Sequence, residues 1–344
     1  MTRGLAAAVL TGLSLVAAAC GSGAHAPRVA YEVAYTEATS GGGAALYLAD
    51  GEAREVRRVS GEDGVARQPA WSPDGQQVAY AGCGRPEQER CSLYRADIDG
   101  GTPKGLGEGA WPQWSPDGQR LAFVKARGAG DELFVTDSMR DAPRLKTAGS
   151  DTDAGGGGVM QAGVSSWSPD GRELAVTRRL EGGEGSEVLL VRADGLRELR
   201  VGGDLEAATF AGWSPDGTSM LLFGREHGAG GGLFLMAGDG TGMRRLASVD
   251  AADAARAAWS PNGRQVAMTW GDGLAVVDVA DGTTRQLADG ECLGAGGLEW
   301  GSDASIWFTR GCDARGRALV ELDVASRAER TFSASVIEFA LRPR

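Results

Sequence analysis

Short apolar runs recur along the chain, each in the same polar setting. Leu121 to Val124, Leu174 to Val176, Met220 to Phe223, Val266 to Met268 and Ile306 to Phe308 are each preceded by a tight polar stretch. Apolar runs this short, bounded by turn residues, predict buried strands rather than helices. The preceding stretch reads Trp-Ser-Pro-Asp-Gly from Trp71, Trp114, Trp167 and Trp213, Trp-Ser-Pro-Asn-Gly from Trp259, and Trp-Gly-Ser-Asp-Ala from Trp300. Proline presets φ, aspartate bonds the local backbone, and glycine accepts the left-handed conformation that closes a hairpin.

Each turn joins an inner strand to the apolar second strand. In the unit around Trp71, Arg67 to Trp71 is the inner strand, Gln77 to Ala81 the second, Ser92 to Ile98 the third and Pro103 to Leu106 a short outer one. A second set of turns, Asp99-Gly100, Asp194-Gly195, Asp239-Gly240 and Asp281-Gly282, links third to fourth strands. The starts Trp71, Trp114, Trp167, Trp213, Trp259 and Trp300 lie 43, 53, 46, 46 and 41 residues apart. That period suits four-stranded β-propeller blades and is too long for leucine-rich or ankyrin units. The repeated tryptophans are expected to fill the interfaces between blades.

The chain ends complement each other. Val29 to Thr36, Ala45 to Ala49 and Glu55 to Val59 supply a second, third and fourth strand with no inner strand before them, and Val336 to Leu341 is an inner strand with nothing after it. Joining them closes the ring and leaves no exposed sheet edge. The expected fold is therefore all-β, a propeller of seven four-stranded blades over residues 29–344. Six blades is the alternative, if the degenerate unit at Trp300 forms no blade of its own. Seven blades need about 45 residues each and six about 53, against a mean spacing near 46.

Composition adds an address. Arg3, the apolar run Leu5 to Ala19 and the small residues Ala17 to Ala19 read as a signal peptide over residues 1–19, too short to span a membrane comfortably. Cys20, followed by Gly21-Ser22-Gly23, resembles the bacterial lipoprotein lipobox, with Ala17 where that pattern prefers leucine. The resemblance implies lipidation at Cys20 and anchoring by acyl chains, with residues 20–28 as a tether. Gly21 in place of aspartate resembles outer-membrane lipoproteins. The formal charge of −11 repels nucleic acid and anionic headgroups, so the membrane is expected to be met through the anchor only.

The four remaining cysteines fall into local pairs, Cys83 with Cys91 and Cys292 with Cys312. An exported chain favours disulfides within each pair, because Cys83 ends one strand and Cys91 begins its hairpin partner. Neither pair has the CxxC spacing of a metal site.

The Trp-Ser-Pro-Asp-Gly units, followed by strands such as Val78-Ala79-Tyr80 or Leu121-Ala122-Phe123, resemble the repeats of the TolB propeller and of prolyl-oligopeptidase-type propellers. The TolB resemblance implies a periplasmic, protein-binding propeller that contacts a peptidoglycan-associated lipoprotein and other envelope proteins. Two departures set the chain apart. TolB has a separate N-terminal domain and no lipid, and its propeller has six blades.

Candidate chemistry is sparse. Prolyl-oligopeptidase relatives carry a hydrolase domain with a Gly-x-Ser-x-Gly elbow, whereas Gly212-Trp213-Ser214-Pro215-Asp216-Gly217 has the wrong spacing and is a hairpin turn. The two histidines are His25 in the tether and His227 in a glycine-rich loop, too few for a histidine metal cluster or a serine triad. Asp151-Thr152-Asp153 before Gly155 to Gly158 is the best calcium candidate but lacks the rest of an EF-hand loop. The glycine run has no following Lys-Ser/Thr to make it a phosphate cradle.

Recognition is expected on the face where the loops between fourth and first strands and between second and third strands open, because loops on a rigid scaffold carry binding. Both cysteine pairs and the long excursions Thr147 to Gly163 and Gly82 to Cys91 fall there. Arg67, Gln68, Trp111, Gln161 and Arg256, near the starts of inner strands, are the candidate binding residues. Trp111 is an extra ring beside the repeated Trp114, with packing as its other role. The expected protein is a non-catalytic, monomeric envelope lipoprotein that binds a protein, peptide or glycan and needs no cofactor. A carboxylate or metal-dependent hydrolase or lactonase is the alternative, and a scaffold subunit of an envelope complex is a third.

Overall fold

The computed structural model describes residues 32–61, 64–84, 91–127, 130–137, 143–146, 159–180, 185–193, 198–249, 256–270, 273–313 and 316–343. The signal segment, Cys20, the tether and the Asp151–Gly158 stretch lie outside them. Among the described residues every regular element is a strand, and no helix is long and apolar enough to cross a membrane.

Four sheets have four antiparallel strands each, and Ala110–Trp114, Val159–Trp167, Leu205–Trp213 and Arg256–Trp259 are their inner strands. The remaining strands form one eleven-stranded sheet. It runs from Leu298–Ser302 through Glu329–Leu341, Val33–Ala38 and Ala44–Ala49 to Val65–Trp71 and on to Lys104–Glu108. Its internal order repeats the same four-strand unit. A single parallel bridge, Ala44 to Val65, joins two of the units.

The other junction is Glu329–Leu341 itself. The sequence pattern places an isolated inner strand at Val336 to Leu341, whereas the structure runs one strand of thirteen residues. Its first part pairs with Arg317–Asp323 and its last part with Val33–Ala38, in the register Val33 to Leu341 and Tyr35 to Phe339. No glycine or proline interrupts Glu329 to Leu341, so nothing in the chain breaks the extended conformation between its two partners.

The Ser-Pro-Asp-Gly turn is a hydrogen-bonded cassette. Ser72 Oγ donates to Asp74 Oδ1 at 2.6 Å and accepts from the Gln77 N–H at 2.9 Å. Asp74 Oδ1 also accepts from the Gln76 N–H at 3.0 Å, and Gly75 sits at φ 63°. The same bonds recur at Ser115/Asp117, Ser168/Asp170 and Ser214/Asp216, and with Asn262 in place of aspartate at Ser260. Each serine hydroxyl thus satisfies a backbone N–H that the tight turn leaves without a ladder partner.

The repeated tryptophans do more than fill volume. The indole N–H of each donates to a carbonyl of the preceding inner strand: Trp114 to Ala70, Trp167 to Gln113, Trp213 to Ser166, Trp259 to Gly212 and Trp300 to Ala258, at 2.9–3.3 Å. Trp71 donates to Ala340 of the C-terminal strand at 3.1 Å. Around these rings, apolar clusters draw on two neighbouring four-strand units at a time. Trp71 packs with Ala34, Leu46 and Leu48, while Val33, Tyr35 and Phe339 pack with Trp307 and Leu319. Buried aliphatic and aromatic surface between units contributes about 25 cal/mol per Å², which makes these interfaces the main source of cohesion.

Candidate functional site

The expected disulfides are both formed, Cys83 to Cys91 and Cys292 to Cys312. Cys83 and Cys91 are register partners on adjacent strands, so the bridge pins the mouth of their hairpin. The other links the loop before Leu298–Ser302 to the end of Ser305–Arg310. Both therefore lie where second–third and fourth–first connections open.

Four of the five candidate residues have described side chains. Gln161 lies in Val159–Trp167, in a stretch where pairing with Glu173–Arg179 loses register, and its side chain is outside the described residues. Gln68, Trp111 and Arg256 each stand three residues before a repeated tryptophan, and Arg67 is next to Gln68. Leu341 occupies the tryptophan register of the C-terminal strand, so Glu338 is the matching position there.

These matching positions are bonded in series. The Gln68 N–H donates to Glu338 Oε2 at 2.6 Å, and the Trp111 N–H donates to Gln68 Oε1 at 2.8 Å. Gln68 and Trp111 both adopt φ of 56°, a left-handed conformation costing roughly 1–2 kcal/mol for a residue with a Cβ. Each lies at a bulge, where pairing skips between Arg67 and Ala70 and between Ala110 and Gln113. A bulge re-aims a side chain and frees a backbone N–H, and here the freed N–H is taken by the side chain of the preceding strand. Both residues precede a proline, Pro69 and Pro112, which is the signal these kinks leave in the sequence.

Trp111 is half-buried, and its ring packs against the cluster that holds Trp167, Val124 and Leu174. It has a packing role, with part of the ring left open to solvent. Arg67 is exposed. Arg256 keeps solvent access, yet protein surrounds it closely enough that desolvation lowers its pKa; the Glu338 carboxylate opposes that shift and the Arg317 charge adds to it. Arg256 Nη2 donates to the Ala295 carbonyl at 3.1 Å.

Glu338, Arg317 and Glu299 were not among the candidates. Glu338 was legible through its register with Leu341. Arg317, on a third strand, left no signal. Glu299 stands one residue before Trp300 and accepts from the Leu341 N–H at 3.0 Å. Burial pushes its carboxyl up to about 7, and the Leu341 N–H works against that shift.

Beside this site, a groove of about 650 Å³ opens between the unit of Ala44 and Ser60 and the unit of Tyr80 and Tyr94, next to Cys83. The two tyrosine rings stack at 5.4 Å. His227 is exposed in a turn, and among the described residues no three His, Cys, Asp or Glu side chains converge as metal ligands would.

The family model of the TolB beta propeller domain matches residues 85–335, well over half the chain. The chain belongs to the TolB beta-propeller domain family. No curated protein matches it significantly. Among solved structures it is similar to TolB from Acinetobacter baumannii, at 17% identity and a TM-score of 0.56, covering 92% of this chain and 68% of that one. A prolyl endopeptidase gives 14% identity and a TM-score of 0.63 over 91% of this chain and 50% of its own. An oligogalacturonate lyase in complex with manganese gives 15% and 0.60 over 89% and 85%. Likenesses at this identity establish the fold alone. The fold is thus similar to that of TolB, of a prolyl endopeptidase and of an oligogalacturonate lyase alike.

Proposed function

We propose that this TolB-type propeller is a non-catalytic, exported lipoprotein, anchored through Cys20 in the cell envelope, whose disulfide-bearing face binds an envelope protein, peptide or glycan. The observation that carries the reading is the series Glu338, Gln68 and Trp111. Two non-glycine residues sit at matching positions in a costly conformation and are held there by side chains of neighbouring strands. Backbone strain that is locked in this way concentrates at recognition and active sites.

The scaffold in this proposal is a ring of seven blades. Apolar clusters shared between consecutive units support it, as do the contacts of each inner strand with the next, from Val65–Trp71 round to Glu329–Leu341 and back. The Trp71 bond to Ala340 falls at the join of the two chain ends. A closed ring presents its inner-strand starts as a rigid, convergent surface, which suits binding without rearrangement.

Gentle detergent extraction of the full chain, crosslinking and mass spectrometry tests the reading. A reproducible partner lost on Gln68→Ala, with folding intact, is the expected result; stoichiometric divalent metal with turnover of a hydrolase substrate would replace it with the enzyme alternative. Cys20→Ser tests the anchor separately, by moving the protein from the membrane to the soluble fraction.

A further inference from the structure

Two arginines at the candidate site lack the carboxylate partners that several arginines of this chain have. Arg178, Arg245, Arg310 and Arg330 each pair with a glutamate on a neighbouring strand or turn. Arg256 and Arg317 have no carboxylate within ion-pair distance among the described residues and donate instead to backbone carbonyls, Arg256 to Ala295 at 3.1 Å and Arg317 Nη1 to Ile337 at 3.2 Å.

Those two carbonyls bring the guanidiniums to the same place. Gly296, next to Ala295, lies so close to Ile337 that a Cβ there would meet the Ile337 oxygen at 2.2 Å. The arginines therefore flank one point of backbone approach, and the Arg317 charge reaches Arg256 and lowers its pKa. Glu338 adjoins Ile337, but one of its oxygens is already engaged by the Gln68 N–H. Arg317 Nε is shielded from water and has no hydrogen-bond partner among the described residues. Arg67 adds an exposed positive charge beside Gln68 on the adjacent inner strand.

In a protein of charge −11, two guanidiniums gathered about a single carboxylate, Glu338, stand against the prevailing field. Desolvated guanidinium is costly unless an anion meets it, and its planar fork matches carboxylate and phosphate oxygens in bidentate geometry. We propose that Arg256 and Arg317 form an oxyanion-binding site that receives a carboxylate or phosphate group of the bound partner. This rests on the binding reading above and names the chemistry of the group recognised.

The test titrates the full chain, by calorimetry at low salt, with triglutamate, triglutamine and inorganic phosphate. The expected result is that triglutamate or phosphate binds and triglutamine does not, that affinity falls with added salt, and that Arg256→Gln and Arg317→Gln each weaken binding at least tenfold. The triglutamate and phosphate arms separate a carboxylate from a phosphate ligand. Equal binding by triglutamine, no binding of either anion, or unchanged affinity in both variants overturns the proposal. Should a glutamine variant fail to fold, Arg256→Lys and Arg317→Lys keep the charge and remove the fork, and several-fold weaker anion binding is expected from them; unchanged binding again overturns it. A partner captured equally well by wild type and by Arg256→Gln would sink the oxyanion site and leave the binding function standing.

Discussion

The indole of Trp71 donates to the carbonyl of Ala340 across 269 positions of sequence, the same bond that every other repeated tryptophan makes to the strand of the unit before it. Arg342 extends the join: its guanidinium lies 5.9 Å from the Trp71 ring centre and against Gly75, where the other turns have a proline of the preceding unit. Trp71→Phe keeps most of the ring volume and leaves the Ala340 carbonyl without its donor. The expected loss is about 1–3 kcal/mol, read as a lower denaturant midpoint with an unchanged slope. Removing residues 336–344 should cost far more, since it strips Val33–Ala38 of its partner strand as well.

Acid should loosen the turns. Asp74, Asp117, Asp170 and Asp216 have pKa values held down, first by the hydroxyl of the serine two residues earlier and also by backbone N–H groups, with burial working in the opposite direction. A carboxyl depressed in the folded state contributes stability above its unfolded pKa, and loses it as pH falls through the folded one. Wild type should therefore lose stability progressively below about pH 4. Asn262 already fills this role in one turn, so replacing the four aspartates by asparagine should preserve the fold. Chemical denaturation at pH 7 and pH 3 should show wild type ahead at neutrality and the gap narrowing in acid; an equal gap at both values would contradict it.

How much of this was readable beforehand follows from periodicity. The strands, the turns and the pairing of chain ends were legible because Trp-Ser-Pro-Asp-Gly and its asparagine variant impose one local geometry five times over. The indole bonds were not, because a repeated tryptophan looks the same whether it packs or donates. At the site, Gln68, Trp111 and Arg256 were read as lying near the starts of inner strands, and each stands three residues before a repeated tryptophan. Arg317 was missed because its place at the site depends on a carbonyl of Ile337, brought to it only by the C-terminal strand. The continuous strand Glu329–Leu341 was cut short in the reading because a strand serving two partners has no boundary of its own in sequence.

The two disulfides should differ in strength. Cys83 to Cys91 closes a separation of 8 residues and Cys292 to Cys312 one of 20. Since unfolded-state entropy lost to a crosslink grows with the logarithm of loop length, the longer bridge should contribute about 0.8 kcal/mol more. Thermal unfolding of the double-serine variants, C83S/C91S and C292S/C312S, checks the order. The reverse order would mean that the Cys83 bridge acts chiefly on the native hairpin.

Glu299 should make stability depend on pH in the opposite sense from the turn aspartates. Its carboxyl is raised to about 7 by burial, so between its unfolded value near 4.3 and about 7 the folded state binds more protons than the unfolded one. Stability from this group is full below the lower value and falls as pH rises to the upper. Glu299→Gln keeps an acceptor for the Leu341 N–H and removes the charge. The variant should be more stable than wild type at pH 8, with the two converging near pH 4, and a constant difference across that range would assign the effect to packing instead.

Trp111→Ala separates the two roles of that ring. Its contact with the Trp167 cluster predicts a loss of stability, smaller than the roughly 3–5 kcal/mol of a fully buried aromatic because part of the ring faces solvent. The Trp111 N–H bond to Gln68 is made by the backbone and survives the substitution, so the kinked strand should keep its course. Trp111→Phe retains an apolar ring against Trp167 and should recover much of the stability. If the ring also meets a partner, Trp111→Phe should still capture it less well than wild type at a temperature where both are fully folded. Capture that tracks stability alone across the three proteins would assign Trp111 wholly to packing, leaving recognition to Gln68 and the arginines around it.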